Sequence, residues 1–205
     1  MMVNNNQIAF SVTGAAPDLT QTAPALNFTL TLLLESDEDY HYINGLRTKH
    51  YPPDLLFNPA HIGIFTRLTV PPALVAEVHA DLAEMGRKEK RFTLQLARKP
   101  QLWGKCVVLP VMSSPLESMR SALNIRWAGM GIVHPSERNG YQPHFTVHGR
   151  VSAAAARAAH DRVSQSFAAR AQVKRLPRGR ALGFQLWEYQ EGMPWRHVAT
   201  FPFTG

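Results

Sequence analysis

Cysteine is almost absent from this chain. Cys106 is the one example among 205 residues, which excludes an internal disulfide and a thiolate cluster for zinc. It falls in the apolar run Cys106-Val107-Val108-Leu109-Pro110-Val111 and reads as a small buried hydrophobe. No stretch approaches the ~20 consecutive apolar residues that cross a bilayer. The amino terminus also lacks the basic region and apolar core of a secretory signal. The expectation is a soluble, cytoplasmic protein with no membrane partner. Glycine loops that cradle phosphate are missing too, since Gly129-Met130-Gly131 lacks the rest of either nucleotide signature. There is no His-Glu-x-x-His and no compact acidic cluster, so neither a metal nor another cofactor is expected. Acidic residues are in short supply: 15 Asp and Glu face 22 Lys and Arg, a net charge of +7. Such a surplus favours anionic partners, nucleic acid or nucleotides first.

What is present has an ordered pattern. Residues 1–25 are rich in Asn and small residues and read as a flexible N-terminal tail. Leu26 to Glu35 alternates as a strand, and Ser36-Asp37-Glu38-Asp39 caps a helix through about Lys49. A loop around Pro52-Pro53 precedes a strand near His61, a helix from Pro71-Pro72 to about Met85, and a strand over 90–98. The order then recurs: a strand over 105–112, a helix whose cap, N1 proline and N3 Glu are Ser114, Pro115 and Glu117, a long loop, a strand at His144, an Ala-rich helix capped by Ser152, and a strand from Ala181. A closing hairpin turns around Glu191-Gly192. The expected fold is α+β: two pseudo-symmetric lobes with antiparallel-rich sheets around a central cleft and helices outside. Residues 26–205 are expected to form a single bilobal domain with a His61 lobe and a His144 lobe.

The two histidine strands carry the chemistry. In Gln142-Pro143-His144-Phe145-Thr146-Val147-His148-Gly149-Arg150, alternation puts His144, Thr146, His148 and Arg150 on one face. In the weaker echo Pro59-Ala60-His61-Ile62-Gly63-Ile64-Phe65-Thr66-Arg67, the shared face holds His61, Gly63, Phe65 and Arg67. A pseudo-two-fold axis between the halves brings the two imidazoles to one cleft. Facing a phosphodiester, they can divide general acid and general base work near neutrality, with no metal required. A hydroxyl two residues after each histidine would donate to the nonbridging oxygens. Thr146 meets that requirement and Gly63 does not.

The paired motifs resemble those of the 2H phosphoesterases, in particular their bacterial 2′-5′ RNA ligase-like branch. That family carries two His-x-Thr/Ser-x motifs, one in each duplicated α+β lobe. His144-Phe145-Thr146-Val147 matches fully, and His61-Ile62-Gly63-Ile64 matches except at the hydroxyl position. The closing run Leu186-Trp187-Glu188-Tyr189, Pro194-Trp195 and Phe201-Pro202-Phe203 also looks like the family's terminal hairpin. The resemblance implies hydrolysis of 2′,3′-cyclic phosphates or 2′-5′ phosphodiesters of RNA or nucleotides, with reversible 2′-5′ joining in some members. It implies His61 and His144 as acid and base, and phosphate held at Thr146 and at the Gly63 position. The expected partners are RNA ends or nucleotides with cyclic or 2′-5′ phosphodiesters, bound by a monomer. The missing hydroxyl keeps a second reading open: an RNA- or nucleotide-binding protein on the same fold with weakened catalysis.

Four further side chains are candidates for substrate binding. Phe65 is either a stacking platform for a base or a core aromatic. His148 either lines the cleft or is structural. Arg67 and Arg150 lie six positions past their histidines, near 20 Å away at about 3.3 Å per residue. That is too far for the same phosphate, so they contact a longer RNA chain or are solvated strand ends. The basic segment Arg170 to Arg180 is the best candidate for touching an RNA backbone.

Overall fold

The computed structural model describes residues 23–138 and 140–205. The expected tail over residues 1–25 lies outside the described residues apart from 23–25. Two runs of strand, helix, strand, helix, strand follow one another. The first is β1 (Leu26–Leu34), α1 (Glu38–His50), β2 (Gly63–Val70), α2 (Val75–Lys88) and β3 (Phe92–Leu96). After β4 (Gln101–Trp103) come β5 (Cys106–Met112), α3 (Ser114–Gly129), β6 (His144–His148), α4 (Ala153–Val173) and β7 (Arg178–Glu188), and β8 (Arg196–Pro202) closes the chain. The duplicated order is thus present, with β4 and β8 added.

The helix starts follow from local chemistry. Asp37 caps α1 by accepting from the Tyr40 N–H at 2.8 Å, and Glu38 and Asp39 complement the N-terminal dipole. Ser113, one residue earlier than the sequence suggests, caps α3 through the Leu116 N–H. That places Pro115 at the second helical position, where its missing N–H still costs nothing. Ser152 caps α4 through the Ala155 N–H, and this helix runs to Val173.

All pairings in the eight-stranded sheet are antiparallel. On one side β2 pairs β1, β1 pairs β7, and β7 pairs β8 over its later residues. On the other, β6 pairs β5, and β5 pairs β4. Strand β3 joins the two, since Gln95 pairs both Met112 of β5 and Arg178 of β7. The last strand of each run therefore leaves its own half: β3 lies beside β5, and β7 lies beside β1. The first helices are exchanged as well. Helix α1 packs on β6, and Trp127 of α3 packs on Phe65 of β2, ring centroids 5.3 Å apart.

The core is continuous across both halves, from Phe28, Leu30 and Ile43 to Val107, Phe145, Val163 and Phe184, all essentially buried. Cys106 is only half-buried, at the start of β5. The segment Arg170 to Arg180 is not a free basic loop. Asp39, 4% exposed, receives Arg170 and Arg175 at 2.5 Å each and the Arg178 backbone N–H at 3.0 Å, and Lys174 pairs Glu38. These cations tie α4 and β7 to the start of α1. No helix among the described residues is long and apolar enough to cross a membrane.

Candidate active site

A single antiparallel bridge, Ile62 to Phe145, joins the entrance of β2 to β6. In that register His61 stands opposite Thr146, and His144 stands opposite Gly63. Residues directly opposite in an antiparallel pair share a face, with Cβ atoms about 5 Å apart. The four motif positions thus form one cluster across the seam between the halves. The hydroxyl that follows His144 in sequence comes to lie beside His61.

Both rings are held in the same way. His61 Nδ1 donates to the Pro59 carbonyl and His144 Nδ1 donates to the Gln142 carbonyl, each at 2.8 Å and each two residues back. A carbonyl can only accept, so Nδ1 carries the proton and Nε2 is the nitrogen left for exchange. Each ring also rests on an indole, His61 on Trp195 and His144 on Trp103, both with centroids 4.9 Å apart. Burial, and then the Arg47 guanidinium, push the His61 imidazole down to about 4. Burial lowers His144 as well, opposed by its bond to Gln142.

The alternation expected along these strands breaks just after the motifs. Thr31 pairs Gly63 and Leu30 pairs Phe65, so Ile64 is an extra residue in β2. Val108 pairs Thr146 and Val107 pairs His148, so Val147 is its counterpart in β6. A bulge puts two consecutive residues on the same side and resets the phase. Phe65 is therefore fully buried, with the Arg120 guanidinium 3.6 Å from its ring centre, and offers no face to a base. His148 is 6% exposed and its Nδ1 donates to the His50 carbonyl under α1. Both are structural, contrary to the cleft-lining reading.

Two arginines anchor the bulged strands from the opposite half. Arg120 of α3 donates to the Ile64 carbonyl at 2.7 Å, and Arg47 of α1 donates to the Thr146 carbonyl at 2.6 Å and to Asn58 at 3.1 Å. Arg47 is 5% exposed, lies 4.1 Å from the Tyr51 ring centre, and has no carboxylate partner among the described residues. Burial lowers its pKa, yet an arginine stays charged under these conditions. Sequence reading missed it, because nothing in Gly45-Leu46-Arg47-Thr48 separates this cation from an ordinary helix-surface arginine.

A cavity of about 180 Å³ opens over this floor, walled by Arg47, His61, Thr146, Arg150 and Trp195, with Phe57, Tyr189 and Met193 at its rim. His144 stands beside this cavity and is not part of its wall. Arg150 reaches it because β6 ends at His148 and Arg150 turns back with φ 58°. The straight-strand distance of about 20 Å does not apply to it. Arg67 is outside this cavity and lines a neighbouring one. Gly63 has a local cause. A Cβ built on it would lie 2.9 Å from Thr66 Cγ2. The Thr66 rotamer is pinned by Glu137, which accepts from both its hydroxyl and its backbone N–H. The Gly63 carbonyl in turn accepts from the Tyr141 hydroxyl at 3.1 Å.

The family model of the 2′-5′ RNA ligase superfamily matches residues 35–181. The chain belongs to that superfamily, as its resemblance to the 2H phosphoesterases implied. Among solved structures, TT0787 of Thermus thermophilus is similar at TM-score 0.60 and 14% identity, over 88% of this chain and 99% of that one. Apo LigT of E. coli matches at TM-score 0.55 and 18% identity, over 89% and 100%. LigT complexed with 3′-AMP matches at TM-score 0.54 and 17% identity, over 88% and 99%. At such identities these structures share the fold. No curated protein matches the chain.

Proposed function

We propose that this chain is a metal-independent phosphoesterase that hydrolyses 2′,3′-cyclic phosphate or 2′-5′ phosphodiester bonds of RNA ends or nucleotides. It acts as a cytoplasmic monomer, and 2′-5′ joining follows when a 5′-hydroxyl replaces water in attacking the cyclic phosphate, forming the new phosphorus–oxygen bond as the bond to the 3′ oxygen breaks. The observation that carries this reading is the matched pair of imidazoles, each tied through Nδ1 to a carbonyl two residues back and free at Nε2. His61, beside the Arg47 cation, is the ring more readily neutral and serves as base. Its Nε2 takes a proton from water as the water oxygen bonds phosphorus. His144, entering the step as the imidazolium, gives its Nε2 proton to the ribose oxygen as the phosphorus–oxygen bond breaks. Thr146 and Arg47 hold the nonbridging oxygens, where charge accumulates. The E. coli LigT structure with 3′-AMP supports a nucleotide ligand on this fold.

The test is turnover of a nucleoside 2′,3′-cyclic monophosphate and of a short RNA ending in a cyclic phosphate, in EDTA. His61→Ala and His144→Ala should each remove turnover while circular dichroism stays native. Undiminished activity in either variant overturns the two-histidine mechanism. The Gly63 position favours a second reading, a nucleotide-binding protein with weak catalysis, because His144 lacks a hydroxyl on its cross-strand neighbour. Nucleotide binding without turnover on any of these substrates would establish it.

A further inference from the structure

Three cavities meet at Trp195. The central one contains His61, Thr146 and Arg47. It shares His61 and Asn58 with a cavity of about 490 Å³ walled by Leu32, Tyr40, Gln185 and Trp187. It shares Arg150 and Tyr189 with one of about 540 Å³ walled by Arg67, His134 and Thr69. None of the three has an Asp or Glu in its wall among the described residues, although the chain contains 15. Glu137, which approaches the third, is occupied by Thr66 and by the Arg120 contact to its carbonyl. The groove is therefore apolar at one end and cationic at the other, with His61 between.

The cationic end is organised by the strand itself. The backbone of residues 132–134 runs beside β2 through the Leu68 to Val133 bridge and the His134 N–H donating to the Arg67 carbonyl at 3.2 Å. His134 Nδ1 accepts from the Ser136 N–H at 3.2 Å, which leaves the ring proton on Nε2 as a donor. Arg67 and Arg150 take part in no ion pair among the described residues. The bulges in β2 shorten the span between His61 and Arg67. Continuing the register from the Phe28–Leu68 and Thr31–Gly63 pairs sets Arg67 opposite Thr29 and His61 opposite Leu33, four residues apart on β1, or about 13 Å at about 3.3 Å per residue. One phosphate cannot touch both.

We propose that Arg67, His134 and Arg150 form a second phosphate subsite, so that the preferred ligand is a short oligonucleotide whose next phosphates extend from the scissile one along β2. This rests on the phosphoesterase reading for the central cavity and adds the direction and length of the chain that fills the groove. A nucleoside cyclic monophosphate leaves the cationic end empty. An oligonucleotide of two or three units reaches it.

The experiment is calorimetric binding of 3′-phosphorylated oligoadenylates of one, two and three units at about 150 mM salt, where long-range attraction is screened. Affinity should step up about tenfold once a further phosphate reaches Arg67, the worth of a charge-assisted contact. The step should collapse in Arg67→Ala and shrink in His134→Ala. It should persist in Arg98→Ala, which removes an exposed arginine outside all three cavities. Equal affinity for one to three units in the native protein overturns the proposal. So does a step that survives in Arg67→Ala, or one that falls equally in Arg98→Ala. Binding needs no chemistry, so a protein that shows the step without turnover would refute the hydrolytic reading and keep the subsite.

Discussion

Gly63 gives the sharpest test of how the structure constrains the site. A methyl group at this position meets Thr66 Cγ2 at 2.9 Å, well inside ordinary contact, and Thr66 cannot rotate away without releasing Glu137. Overpacking of this kind costs about 1–3 kcal/mol. The loss of unfolded-chain freedom when glycine becomes alanine returns about 0.4–1 kcal/mol. Gly63→Ala should therefore be destabilised by about 1 kcal/mol in urea unfolding. Thr66→Ser removes Cγ2 and keeps the hydroxyl bonded to Glu137, so adding it to Gly63→Ala should recover most of that loss. The double-mutant cycle should show a coupling of about 1 kcal/mol. The same logic governs catalysis: Gly63→Thr restores the motif hydroxyl, and it should raise turnover only in combination with Thr66→Ser. Additive stabilities in the cycle, or Gly63→Thr as stable as the native protein, would refute the steric account.

Three further outcomes are expected. Arg47→Gln removes the cation beside His61, so the His61 ring, observed by its NMR titration, should move up from about 4, while Arg47→Lys should leave it low. In the folded protein His61 stays neutral down to about 4, whereas the unfolded chain takes up its proton near 6.5. Stability is then full above about pH 6.5 and falls as pH drops toward 4. The urea midpoint should follow that course, less steeply in His61→Gln, and an unchanged slope in that variant would contradict it. Asp39→Asn strands Arg170 and Arg175 beside a neutral amide. It should cost about 3 kcal/mol in urea unfolding and leave the pH dependence of turnover unchanged.

The element order and the pairing of the two histidine motifs were legible in the sequence because Pro-led strands, helix caps and alternation are local signals. The site's finer placement was not. A bulge leaves no mark in a hydrophobic pattern, so a period of two carried from His61 to Phe65 and from His144 to His148 put two buried side chains in the cleft. The same reasoning set Arg150 too far away, since a left-handed residue after the strand reverses its direction. Arg47 was invisible because it acts from the opposite half of the chain, and its value comes from burial against Tyr51 and the Thr146 carbonyl. Trp103 and Trp195 pack against the two motif histidines, a pairing that no local pattern around either indole announces.

The exchange of β3 and β7 between the halves also bears on how this chain is made on the ribosome. Strand β1 is flanked by β2 on one side and β7 on the other, so one edge of the first half-sheet stays unpaired until residues 178–188 have emerged. Neither histidine strand is docked by a helix of its own half: β2 waits for Arg120 of α3, and α1 waits for β6. A nascent chain stopped between the repeats carries an open strand edge and one histidine of the pair, a state prone to pairing with another chain. The site is complete only when the last hairpin is in place, and a truncation that removes β7 and β8 takes the first histidine's support with it.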